Sequence, residues 1–221
     1  MSVKAFANIW FLIQKDLNIE LRQRYILTSI LLYVVSTVFI ISKILQTVSP
    51  MLWNAIFWVV FIFTAVSAMM KSFTQEMSDR SLYYYYLVGP IEIILAKFIY
   101  NFFSLMAMGL LLSVSFIIFI NNPIDNYFYF FLGVTLGALG IGVIFTLVSS
   151  IASSGGNSAT LMSVLAIPLV LPVILFNLQI TGTALNILQD TAIVNNISLL
   201  LAIIGILIGV SLFLFPQIWR T

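Results

Sequence analysis

Long apolar runs separated by short polar breaks set the pattern of this chain. Six stretches reach the roughly 20 mostly apolar residues that carry a helix across a bilayer: Tyr25 to Val48, Met51 to Met70, Ile93 to Ile120, Tyr127 to Ile151, Ala159 to Gln179 and Ala192 to Phe215. Ahead of them, Phe6, Ile9, Trp10, Ile13 and Leu17 recur at three- and four-residue intervals, with Lys4, Asn8, Lys15 and Arg22 on the opposite face. That period predicts an amphipathic helix lying in the membrane interface, an elbow over residues 1–24 that braces the first span. The expected fold is an all-α membrane protein of one domain, the elbow followed by a six-span bundle over residues 25–221. After the fifth run, "ITGTALNILQDTAIV" is apolar but interrupted by Thr, Gly, Asn and Asp, which predicts a short re-entrant or interfacial element. The first apolar run starts too late, behind too many charges, for a cleaved signal peptide.

Composition agrees: 62% of the 221 residues are hydrophobic and 7% charged, far from the balance of a water-soluble domain. The placement of charge adds the orientation. Of nine Lys and Arg residues, Lys4, Lys15, Arg22, Arg24, Lys71, Arg80, Lys97 and Arg220 fall on one side of a six-span path, and Lys43 alone falls on the other. Positive residues stay inside, so both termini are expected in the cytoplasm. The small net charge of +2 gives no basic surface for nucleic acid. Cysteine and histidine are both absent, which excludes disulfides, thiolate or imidazole metal sites and a His-based triad. The span interiors hold almost no ionisable groups, so an enzyme is the weakest functional class and no catalytic or metal-ligating residue is assigned. Ser149, Ser150, Ser153 and Ser154 are expected to bond to backbone carbonyls.

Small residues and prolines carry the packing information. Gly133 with Gly137, and Gly205 with Gly209, are GxxxG pairs that allow close approach of helices. Pro168 and Pro172 in "IPLVLP" each remove a ladder hydrogen bond, which marks the fifth span as kinked, either passively or as a moving gate.

The densest polar cluster is "KSFTQEMSDRSLYYYYLVGP", Lys71 to Pro90, between spans two and three. Glu76 and Arg80 are spaced for a helix and Gly89-Pro90 stops it. Leu82 and Tyr86 share one face, with Asp79 and Tyr83 beside them. Tyrosines at an interface are ordinary belt residues, yet a whole polar helix in so economical a chain suits a groove on a soluble partner.

Glu76, Ser81 and Leu82, with the proline downstream, resemble the coupling-helix motif E-x-x-x-G-[ST]-L-E of ABC-2 type permeases, with Arg80 in the glycine position and Tyr83 in the second acidic one. "FTQEMSDRSLYYYYLVGP", "ILAKFIYN" and "LMSVLAIPLVLPVILF", in a six-span chain of this length, resemble the CcmB family, the permease subunit of the haem exporter of cytochrome c maturation. The resemblance implies an inner-membrane subunit that couples ATP hydrolysis by a separate ATPase subunit to haem export, or to release of a haem-loaded chaperone. It implies contact with that ATPase through Glu76, Asp79, Arg80, Leu82, Tyr83 and Tyr86, and partnership with a haem-handling membrane subunit. It leaves room for two permease copies per complex. This chain carries no Walker A sequence, so ATP belongs to the partner, and with no His or Cys it is expected to bind no haem itself. Two other readings suit the same spans: an ABC-2 permease exporting a lipid, glycan or drug, and a non-transport scaffold for membrane assembly.

Overall fold

Backbone amides find no water in hydrocarbon, so an apolar run closes its hydrogen bonds within itself as a helix. The computed structural model describes residues 3–22, 24–45, 47–76, 88–152, 158–188 and 193–218. Among them are the helices α1 (Val3–Arg22), α2 (Arg24–Ile44), α3 (Pro50–Glu76), α4 (Pro90–Phe119), α5 (Tyr127–Ala152), α6 (Ser158–Ala184) and α7 (Ile193–Ile218). Five are long and apolar enough to cross a bilayer, over Pro50–Met69, Pro90–Phe119, Tyr127–Ala152, Val164–Ala184 and Ile193–Gln217. The first expected span is α2, whose described apolar part, Thr28–Ile44, is shorter.

Local chemistry sets the helix starts. Gly89 is extended and Pro90 occupies the first position of α4, where a missing N–H costs nothing. Asn126 caps α5, its side-chain oxygen accepting the N–H groups of Phe128 and Tyr129 at 3.1 and 3.3 Å.

The order of α2 to α7 is up and down. The indole N–H of Trp53, early in α3, donates to the Asn121 carbonyl just beyond α4 at 3.1 Å. Phe39, late in α2, meets Phe119 edge-on with ring centroids 5.9 Å apart. The N–H groups of Asp125 and Asn126, ahead of α5, donate to the Ala184 carbonyl that ends α6. These contacts gather the C-terminal ends of α2, α4 and α6 at one end of the bundle, the far end. At the opposite end, Ile9 and Leu12 of α1 pack on Ile93 and Ala96 of α4, with Phe215 of α7 against them. This second end holds most of the basic residues and is the charged end.

Helix α5 is the axis: 72% of its apolar stretch is buried, against 17% of that of α7. Its glycines make that position possible. A Cβ on Gly137 would sit 2.5 Å from the ring of Trp58, and one on Gly133 would sit 2.6 Å from Thr181 Cγ2. Around these contacts runs an aromatic stack along α3, with Trp53 on Phe57 at 5.5 Å and Phe57 on Phe61 at 6.3 Å. Phe116 of α4 and Phe130 of α5 close on it edge-on.

Several sequence expectations change. Gly205 and Gly209 do not pack within the chain: nothing lies within 4 Å of a Cβ built on either, because α7 lies at the periphery and turns that face outward. The re-entrant element expected after the fifth span is absent among the described residues, since Ile180–Ala184 forms the last turn of α6 and a tight turn follows. The hydroxyl of Thr183 donates back to the Gln179 carbonyl, so its polarity is absorbed inside the helix. Pro168 and Pro172 lie within an unbroken α6. Ser149 and Ser150 donate to the carbonyls of Thr146 and Leu147, as their setting required, while Ser153 and Ser154 lie outside the described residues.

Close approach at α5 yields a contrast between the two glycine pairs. Gly137→Val pushes methyl groups into Trp58 and is expected to cost about 1–3 kcal/mol, read as a lower melting temperature in detergent. Gly205→Val should stay within about 0.5 kcal/mol of the parent. Equal shifts would contradict the axial role of α5.

Candidate functional site at the charged end

Helix α4 is 30 residues long, about 45 Å at 1.5 Å per residue, against about 30 Å of hydrocarbon. Its surplus turns lie beside α1, and there the two helices join through polar pairs. Asn8 donates to the Glu92 carboxylate at 2.9 Å, and Tyr100 donates its hydroxyl to Glu20 at 2.7 Å. Between them, Asp16 takes two ammonium groups, Lys15 on one oxygen and Lys97 on the other, each at 3.1 Å. Asp16 is only 8% exposed, so this is a partly buried ionic cluster rather than a surface pair. Partners advance together along both helices, from 8 to 20 and from 92 to 100, so α1 and α4 run in the same direction.

This arrangement refines the amphipathic reading of α1. The face against the bundle is Ala5, Ile9, Leu12 and Asp16, one residue per turn. Phe6, Trp10 and Leu17, expected on the same apolar face as Ile9, are instead exposed at 71%, 57% and 46%. Asn8, assigned to the solvated side, reaches Glu92. An interfacial helix touches lipid on one side and protein on another, so its apolar residues divide between two apolar surroundings.

The candidate coupling segment follows α3. Glu76 is the last residue of α3, and α3 ends at the charged end. Asp79, Arg80, Leu82, Tyr83 and Tyr86 lie outside the described residues. Pro168 faces outward and Pro172 is half-buried.

A second polar group, unforeseen in the sequence, joins α3 to α6 inside the bundle. Trp58 donates its indole N–H to Thr181 Oγ1 at 2.9 Å, Thr181 donates to Asn54 Oδ1 at 2.8 Å, and Asn54 donates to the Leu178 carbonyl at 2.9 Å. Asn101 of α4 donates to Thr146 of α5 at 2.8 Å. Single Asn and Thr residues in apolar runs were the available signal, because a polar side chain in hydrocarbon needs a partner. Lys97, eight residues into α4, gave the same signal for Asp16. Among the described residues no three carboxylates gather into a metal-holding cluster.

The ionic cluster predicts an asymmetry. Asp16→Ala leaves Lys97 without its counter-ion and should cost about 3–5 kcal/mol. Lys97→Met leaves Asp16 with Lys15 and should cost less, and the double variant should recover part of the Asp16→Ala loss. Unfolding of the three variants in detergent checks this, and equal single costs would argue against the cluster.

Comparison with curated proteins and with solved structures finds no significant match. The profile of the family described as CcmB protein matches residues 7–220, nearly the whole chain, from within α1 to beyond the end of α7. The chain therefore belongs to the CcmB family, the permease component of the ABC transporter of cytochrome c maturation.

Proposed function

We propose that this chain is the membrane-spanning subunit through which an ATPase on a separate chain drives haem export or release of a haem-loaded chaperone. The observation that carries the reading is the family match over residues 7–220. In this reading α2 is the sixth crossing: its 21 residues measure about 31 Å, and it runs from the charged end to the far end as α4 and α6 do. The charged end faces the cytoplasm of an inner-membrane protein, on the strength of eight of nine basic residues.

The ATPase docks on the segment between α3 and α4, through Glu76, Asp79, Arg80, Leu82, Tyr83 and Tyr86. Movement of that segment reaches the start of α4, and through Asn8–Glu92 and Asp16–Lys97 it reaches the elbow as well. The prolines of α6 give a span that can change its bend. Haem ligation belongs to a histidine-bearing membrane partner, since this chain has neither His nor Cys.

Two experiments test this reading. Replacing Leu82 and Tyr86 with Asp should place unpaired charge in the docking groove and weaken co-purification of the ATPase by about 2–4 kcal/mol, with loss of cytochrome c maturation. Full retention of both would remove the segment from the contact. In a chain without native cysteine, Asp125→Cys should label from outside the cell and Asn157→Cys from the cytoplasm; the reverse would overturn the orientation.

A further inference from the structure

A cavity of about 620 Å³ opens among α1, α2 and α4, within the roughly 300–1,000 Å³ of small-molecule sites. Trp10, Leu17, Leu31 and Phe103 stand on its walls and are all well exposed, so it opens sideways into the membrane rather than inward to the core. Ser104 and Ala107 on α4 are too small to fill it. Along α4 the wall runs from Ile99 to Leu111, about 18 Å of helix. One leaflet of hydrocarbon is about 15 Å, half of the bilayer core. A crossing helix of another protein would need a groove through both leaflets, whereas an acyl chain needs this much.

The groove begins at the hydrocarbon boundary. From Tyr100 to its last residue, Phe119, α4 measures about 30 Å, the thickness of the hydrocarbon, and the polar connection with Asn121, Asn122 and Asp125 follows directly. Tyr100 therefore lies where headgroups meet acyl chains at the charged end. Glu20 of α1 is held at that level, its Oε2 accepting the Tyr100 hydroxyl at 2.7 Å.

That carboxylate sets the chemistry of the occupant. Among the described residues that line the groove, Glu20 is the charged one. Lys15 and Arg22 line a separate hollow on another flank of α1, and Lys97 is paired with Asp16. Among the described side chains of this end, Lys15, Lys97 and Arg22 stand against Asp16, Glu20 and Glu92, so the cluster as a whole favours neither sign. A carboxylate is an acceptor with room for several donors, and Tyr100 supplies one of them. A primary ammonium at headgroup level carries three N–H donors and the opposite charge, whereas a choline headgroup has no N–H and a glycerol headgroup leaves the lipid anionic.

We propose that the groove between α1, α2 and α4 binds a phospholipid with a primary ammonium headgroup, phosphatidylethanolamine, from the leaflet at the charged end. One acyl chain lies along α4 from Ile99 to Leu111, and the ammonium donates to Glu20. The bound lipid offsets a carboxylate placed at the edge of hydrocarbon and completes the wall of the bundle beside the elbow.

Native mass spectrometry of the full chain in mild detergent tests the site, with phosphatidylethanolamine, phosphatidylcholine and phosphatidylglycerol of identical acyl chains as probes. One phosphatidylethanolamine per chain is expected to be retained about fivefold better than either of the others, the weight of roughly one net hydrogen bond. Glu20→Gln keeps an oxygen for Tyr100 and removes the charge; it should bring phosphatidylethanolamine down to the level of phosphatidylcholine. Ala107 is exposed in the groove, so Ala107→Phe fills it without entering the core. It should reduce retention at least about tenfold through lost burial of chain methylenes. Leu31→Trp, from the opposite wall, should do the same and serves if the first variant folds poorly. Equal retention of phosphatidylethanolamine and phosphatidylcholine by the parent chain, or phosphatidylglycerol retained above both, would overturn the proposal. So would an undiminished preference in folded Glu20→Gln, or undiminished retention by a folded groove-filling variant.

Discussion

Apolar helices in lipid gain nothing from leaving water, because they are not in it; what holds them together is contact close enough to improve on the contacts lipid already gives. Here that contact is the approach of Trp58 and Thr181 to the glycine face of α5. Removing side-chain volume at Gly133 and Gly137 lets α3 and α6 come within van der Waals range of the α5 backbone. Once α3 is there, its aromatic column has Phe116 and Phe130 to close upon, and α4 is fixed in turn. Helix α7 meets α5 through Ile204 beside Gly140, and this contact turns Gly205 and Gly209 outward.

Polar groups then select one arrangement among the many that apolar surfaces would permit. The Trp58–Thr181–Asn54 group sets α3 and α6 in one register, because sliding either helix by a turn would strand an amide or indole in hydrocarbon. At the charged end the same task falls to ions. Asp16 accepts from two lysines on two helices, and its position, rather than the apolar stripe of α1, decides where the elbow lies.

The spans were legible because their length and hydrophobicity are imposed by the bilayer and need no knowledge of neighbours. The elbow was legible as a helix, but its bundle-facing side was not: Phe6 and Ile9 are equally apolar, and only the position of Asp16 relative to Lys97 tells them apart. The stretch after the fifth span was misread because Thr181 and Thr183 look like breaks in a sequence while their hydroxyls are satisfied inside the bundle, Thr183 by the Gln179 carbonyl and Thr181 by Asn54. Gly205 and Gly209 were indistinguishable from Gly133 and Gly137 by spacing, since a GxxxG motif states that close approach is allowed and not what approaches. The family, by contrast, could be read from three short segments because they join span order to the polar island at Glu76.

The three connections at the far end, residues 45–49, 120–126 and 185–192, contain two carboxylates and no lysine or arginine. During synthesis a pair of helices joined by such a connection can enter the membrane together, because at most one strongly hydrated cation, Lys43 at the end of α2, has to be carried through hydrocarbon with it. The chain thus divides into three insertable hairpins, α2 with α3, α4 with α5, and α6 with α7. The glycine-faced helix arrives in the second of them, after its aromatic partner in α3 is already in place, so the bundle can begin to assemble around its axis before the last hairpin has been made.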